Sequence, residues 1–454
     1  MKITIALRFL LSLFLFFQAG EVSAAPRVDI SNNQVNFNFP ESATFSATLS
    51  ANADITSVTL EYGNEQLTCG EVIAKAFPEF TSSKSVNVEW TWDMRQSGSL
   101  PPGASLWWRW HFKDQTGNEY VSDTQTITWL DNLHNWQTVT SGYIRLHWYS
   151  GDQTFAHDLL DAAVGGLEFN KNQSGLSSDS PIDVYIYANS NDMKDAILYE
   201  PSWTGGMAYA VQDIVIIGIS ESELEWGRKA MVHELTHVLV GHLTFTCLGG
   251  VPTWLNEGLA VYSEGELEPQ WKSQLDQAIK DDTLLSIRSI SGEFSEVPDR
   301  ALLSYSQSYS IVKFLIETYG QEKMTSLLVA LRDGKTIDQA LLEVYRFDID
   351  GLDDTWRQAI GAAPRTASVQ PIVQLSPTFV PTIVPVAGVL LAISPTPHVI
   401  PTPSFDQPSQ PRGRPPLALT LVLLSFCCVF MIIVGVLVLG IFVRRQDSRG
   451  GKSD

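Results

Sequence analysis

From residue 26 to residue 132 the chain alternates apolar and polar positions in short runs. Val35–Phe39, Thr44–Leu49, Ile55–Tyr62, Ser85–Trp92, Ser105–Phe112 and Tyr120–Trp129 are rich in Val, Thr and aromatic residues. Turn residues such as Pro101-Pro102-Gly103 and Gly117-Asn118 separate them. A period of two predicts strands with one buried face, stacked in two layers. Beyond residue 140 the period lengthens. Tyr143–Tyr149 and Ile182–Ala188 read as strands with the helical stretch Asp152–Asn170 between them, and Met207–Gly218 reads as another strand. From Glu221 onward apolar residues recur three and four apart, which predicts helices over Arg228–His242, Thr253–Gly265, Pro269–Asp281, Arg300–Tyr319, Glu322–Leu331, Ile337–Tyr345 and Leu352–Ile360. No repeat of fixed period is present.

The two ends follow other rules. Lys2 and Arg8, the apolar run Phe9–Phe17 and the small residues Val22-Ser23-Ala24 predict a secretory signal peptide over residues 1–24. An uncleaved anchor is the other reading. Leu417–Val443 is a run of 27 residues without a charge, long enough for a transmembrane helix. Residues 364–416 hold 13 of the 23 prolines and predict a semi-rigid stalk. Val384–Ile393 is an apolar patch in that stalk, too short to span. Arg444, Arg445, Arg449 and Lys452 put the tail 444–454 in the cytoplasm, although Arg412 and Arg414 on the other side weaken the asymmetry. With the signal peptide removed, the N-terminal ectodomain lies outside a cell membrane crossed once.

The organisation is therefore multidomain. An immunoglobulin- or fibronectin-like all-β sandwich (26–132) precedes an α+β domain (140–363). The Trp107-Trp108-Arg109-Trp110 cluster reads either as a sugar platform or as alternate core members. The formal charge of the 454 residues is −20, and residues 25–363 alone carry −25. An acidic surface repels polyanions, so nucleic acid is excluded as a partner. The four cysteines, at 69, 247, 427 and 428, make neither a disulfide-dense scaffold nor a Cys-only zinc module.

The chemistry sits in His233-Glu234-Leu235-Thr236-His237. On a helix, His233 and His237 are one turn apart and share a face, so both imidazoles reach one Zn²⁺. Glu234 is placed to take a proton from water polarised by that metal. A catalytic zinc has three protein ligands and one open position. Val240 and Leu243 stand where a metzincin has Gly and His, and His242 is also wrongly spaced. The better candidate is Glu257, in Trp254-Leu255-Asn256-Glu257-Gly258-Leu259-Ala260, expected on a second helix packed across the first; a solvated surface acid is the other reading.

His233-Glu234-x-x-His237 followed by Glu257 in Asn-Glu-Gly-x-Ala resembles the gluzincins, and within them the peptidase MA-like group related to aminopeptidase N. The resemblance spans residues 140–363, with one residue more between His237 and Glu257 than those aminopeptidases have. It implies a zincin-like catalytic domain, a peptide or protein substrate and one Zn²⁺. It also implies a second carboxylate, Glu264, orienting a ligand. Tyr305 takes the role of the tyrosine that stabilises the oxyanion, with Tyr309 the fallback and plain packing the alternative. The substrate strand of those enzymes, Gly-x-Met-Glu-Asn, corresponds to Gly205-Gly206-Met207-Ala208. Ala208 replaces the glutamate that binds a free α-amine, which favours an endopeptidase unless an acid such as Asp213 substitutes.

Cys69 and Cys247 are the two extracytoplasmic cysteines, and their even count permits one disulfide; two free buried thiols are the alternative. Two rival functions remain open at this stage: a non-catalytic receptor or adhesin on a peptidase scaffold, and a zinc hydrolase of non-peptide amides.

Overall fold

The N-terminal alternation forms β1 (Asp29–Asn38), β2 (Ser42–Ser50), β3 (Ile55–Asn64), β4 (Ala74–Ala76), β5 (Ser85–Asp93), β6 (Ala104–Asp114), β7 (Glu119–Val121) and β8 (Gln125–Trp129). They make two antiparallel sheets, β1-β2-β5 and β4-β3-β6-β7, with β8 also on β6. Their inner faces interlock: Phe45 meets Tyr62 and Trp108, each at 5.7 Å between ring centroids. Trp108 and Trp110 are buried in this core, while Arg109 lies on the opposite face of β6 and pairs with Glu61. The stretch expected as one strand, Tyr120–Trp129, is two. Ser122 accepts from the Trp110 N–H through its side chain, and its own N–H donates to the Trp110 carbonyl. A hydroxyl thus stands where a ladder carbonyl belongs, and the strand breaks there.

This computed structural model describes residues 28–365 except 71–72, 199–204 and 296. The expected signal peptide, stalk beyond Arg365, membrane span and tail lie outside the described residues. Among the described residues no helix is long and apolar enough to cross a membrane.

The second region is built on β9 (Gln137–Ser141), β10 (Ile144–Trp148), β11 (Ile182–Tyr187), β12 (Gly206–Tyr209) and β13 (Ile214–Gly218), in the order β12-β13-β11-β10-β9. The inner three are parallel; β9 and β12 are antiparallel edges. Met207–Gly218, expected as one strand, is a hairpin. The chain reverses after Tyr209, helped by Asp213 in the left-handed region (φ 60°), which Asp tolerates better than most residues.

Nine helices accompany the sheet among the described residues: α1 (Gln153–Gln173), α2 (Ser190–Asp195), α3 (Leu224–Thr244), α4 (Thr253–Ser263), α5 (Pro269–Lys280), α6 (Pro298–Tyr319), α7 (Gln321–Arg332), α8 (Ile337–Tyr345) and α9 (Ile349–Ala359). Leu159 of α1 and Met231, Leu235 and Val238 of α3 pack on Val184, Val215 and Ile217 of the sheet. The other face, through Tyr185, Tyr187, Ile214 and Ile216, belongs to the same apolar core as the sandwich. The sheet is therefore the middle layer between helices and sandwich.

Candidate metal centre and substrate cleft

Helix α3 buries Met231, Leu235, Val238 and Leu239 and turns His233, Glu234 and His237 to a cleft of about 630 Å³. Helix α4 is anchored by buried Trp254, Leu255 and Leu259 and delivers Glu257 to the same cleft. Both Nε2 atoms, His233 and His237, lie 3.5 Å from Glu257 Oε2. One ligating atom from each residue falls within 4.8 Å of the others, and among the described residues this is the one such group.

The outer nitrogens explain why those atoms converge. His233 Nδ1 meets Glu264 Oε1 at 2.7 Å, and His237 Nδ1 meets Asn256 Oδ1 at 3.1 Å. Both partners accept, so both Nδ1–H groups donate, and in its neutral form each imidazole aims a bare Nε2 lone pair at the Glu257 carboxylate. Three acceptors then face one another, and only protons or a cation relieve them. Burial resists charging His233, but hydrogen bonds that it donates to Glu257 and Glu264 outweigh it and push the imidazole up to about 10. His237 is pushed up too, against burial, by the Glu257 charge. Burial also opposes an ionised Glu257, yet His237 and His233 hold it below the usual carboxylate range. The pocket is built for positive charge. Two imidazoles and a carboxylate, each imidazole fixed through its far nitrogen, fit Zn²⁺.

Glu234 makes no ligand contact of this kind. Burial raises its pKa above the ordinary value. It lies against Gly206 of β12, where a Cβ would come within 2.9 Å of Glu234 Oε1, so strand and carboxylate meet only because residue 206 has no side chain. Gly206 and Met207 line the cleft. Ala208 does not; it packs into the core beneath the helices. Asp213 is not an amine anchor in the cleft, because it is paired with His242 at the far end of α3.

Tyr305 lines the cleft from α6, between Trp271 and Phe294. Burial, then the charges of Glu257 and Glu234, push its phenol above the ordinary range, so it stays protonated. Tyr309 is engaged elsewhere, with Glu266 at 3.4 Å and Lys313 at 3.3 Å. Gly258 sets the distance between α4 and α6: a Cβ there would lie 2.5 Å from the Ser308 carbonyl oxygen. Cys69 and Cys247 are joined by a disulfide, linking the sandwich to the segment between α3 and α4. Asn256 escaped the sequence reading, although it stands beside Glu257; no spacing rule marks an amide as a histidine partner.

Residues 162–362 match the Peptidase MA superfamily. That segment contains all three converging side chains, so the match and the metal geometry fall on the same part of the chain. No curated protein matches the chain. Three solved structures illustrate its likenesses. A catalytically inactive OgpA from Akkermansia muciniphila, bound to an O-glycopeptide, is 12% identical over 24% of this chain and 30% of its own, with TM-score 0.18. Aminopeptidase A of Legionella pneumophila, with aspartic acid, is 11% identical over 69% of this chain and 47% of its own, TM-score 0.32. A point mutant of an M1 zinc metallopeptidase from Deinococcus radiodurans is 12% identical over 72% of this chain and 90% of its own, TM-score 0.28. The chain thus spans under half the length of the first two, and likenesses this distant carry no argument about its activity.

Proposed function

We propose that this chain is a zinc metallopeptidase that cleaves internal peptide bonds of a peptide or protein outside the cell, anchored by the helix Leu417–Val443. One observation carries the reading: His233, His237 and Glu257 converge as acceptors while Glu264 and Asn256 hold the outer nitrogens. A bound Zn²⁺ would act there as a Lewis acid toward water and the scissile carbonyl. Glu234 takes the proton of the attacking water and passes it to the leaving amine, and its burial-raised pKa suits both duties. Tyr305 keeps its proton and donates to the oxygen that becomes negative. The edge of β12 that borders the cleft, at Gly206 and Met207, pairs with the substrate backbone. Ala208, and the engagement of Asp213 with His242, leave no acid on this hairpin for a substrate amine and favour endopeptidase action.

The test is zinc content and peptide hydrolysis of the full chain beside Glu234→Gln. Both proteins should hold one zinc, while the variant loses on the order of 10²–10⁴ in rate. Zinc in both without hydrolysis of any peptide would sink the peptidase reading in favour of a binding role or another amide substrate. No zinc in either would remove its foundation.

A further inference from the structure

Strand β12 has four residues and forms the edge of its sheet, with β13 as its strand neighbour among the described residues. Its place beside Glu234 depends on the turn that follows it. Helix α3 holds that turn from one side. His242 pairs with Asp213, and Gly241 lets Ala210 approach until a Cβ on residue 241 would lie 2.3 Å from the Ala210 Cβ. From the other side the turn is held by the sandwich, across more than a hundred residues of sequence. The Leu67 N–H donates to the Val211 carbonyl at 2.8 Å, and the Gln212 side-chain amide donates to Gln66 Oε1 at 2.9 Å. Two residues beyond Leu67, Cys69 is bonded to Cys247, just past the end of α3. Sandwich loop, hairpin turn and α3 thus close a ring with a covalent link in it. None of these contacts touches the three converging ligands.

We propose that the sandwich loop Glu65–Cys69 is a positioning element of the cleft: it fixes the height of the β12 edge at which a substrate backbone pairs. This rests on the peptidase reading above. The disulfide makes the device sensitive to thiols, because cutting it frees one side of the ring and leaves the zinc ligands with their own supports.

Two variants of the full chain test it, Cys69→Ser/Cys247→Ser and Gln66→Ala. In the double variant zinc content should match the parent. KM for a peptide should rise about three- to tenfold with kcat changed less than about twofold, the pattern of a lost interaction that bound substrate and transition state share equally. Amide hydrogen exchange should quicken across residues 206–217 and stay at parental rates in the middle of α3. Gln66→Ala, with the disulfide intact, should show the same pattern more weakly. Unchanged KM and unchanged exchange at 206–217, even with a lower unfolding temperature, would reduce the loop to a structural tie and overturn the proposal. A parent that holds zinc and cleaves nothing would instead refute the peptidase reading, and the exchange measurement would still decide whether the loop positions the hairpin.

Discussion

Glu61 of the sandwich and Glu257 of the cleft are both drawn back from solvent, and they are satisfied in opposite ways. Glu61 of the sandwich is 4% exposed and closes on permanent cations: Lys75 at 2.9 Å and Arg109 at 2.7 Å, with His111 at 2.8 Å. Burial resists its ionisation, but Lys75 and Arg109 bring its pKa from 4.5 down to about 2. Glu257 of the cleft faces two imidazoles whose donor hydrogens are already committed to Glu264 and Asn256. The first site is complete within the protein. The second has acceptors left over, and a surplus of acceptors pointed at one place is what separates a ligand site from a structural ion pair.

The sharpest way to break this contrast is to remove each carboxylate. Glu257→Ala should lose stoichiometric zinc on dialysis and lower hydrolysis by at least about 10²-fold, a larger loss than removing a residue that merely orients a ligand. A variant that kept zinc and activity would make Glu257 no more special than Glu61. Next in size is Glu264→Ala. The His233 ring would lose the partner of its Nδ1–H, and zinc affinity, measured by competition with a chelator, should fall about 10–100-fold. Unchanged affinity would mean the 2.7 Å contact is incidental.

Glu61→Gln should leave zinc and activity alone and lower stability instead. The pKa shift sets an upper limit of about 3 kcal/mol. Lys75, Arg109 and His111 are 52%, 34% and 35% exposed, so solvent screening reduces this to about 1–2 kcal/mol. The folded pKa lies below the unfolded one, so the contribution is full above about pH 4.5 and disappears as pH falls toward 2. Denaturant unfolding of parent and variant at neutral pH, pH 4 and pH 2.5 should show the gap closing. A gap that widened with acid would refute the assignment.

Much of the site was legible because its chemistry is written in helical spacing. His233 and His237 are one turn apart, and apolar neighbours fix the face they share. Glu257 was legible through the apolar residues around it, which require a second buried helix. What spacing does not encode was missed. The Asn256 contact depends on the angle at which α4 crosses α3. The break at Ser122 depends on one hydroxyl entering a ladder. The hairpin in Met207–Gly218 was hidden by apolar residues on both arms, with only Gln212-Asp213 to mark the reversal. The edge strands Ala74–Ala76 and Gln137–Ser141 have three and five residues, too few to leave a hydrophobic period.

Sequence pattern marks two domains, 26–132 and 140–363, and the middle layer joins the two regions through one apolar core. Tyr185, Tyr187, Ile214 and Ile216 are each under 5% exposed, and the apolar core they share with the sandwich keeps them so. Deleting the first 132 residues would present a wet, apolar sheet face of the kind that drives self-association. Recombination that exchanged residues 137–363 alone would inherit the same liability. The unit that can be shuffled between proteins is the pair, and its length is set by a shared core and not by the linker at residues 133–136.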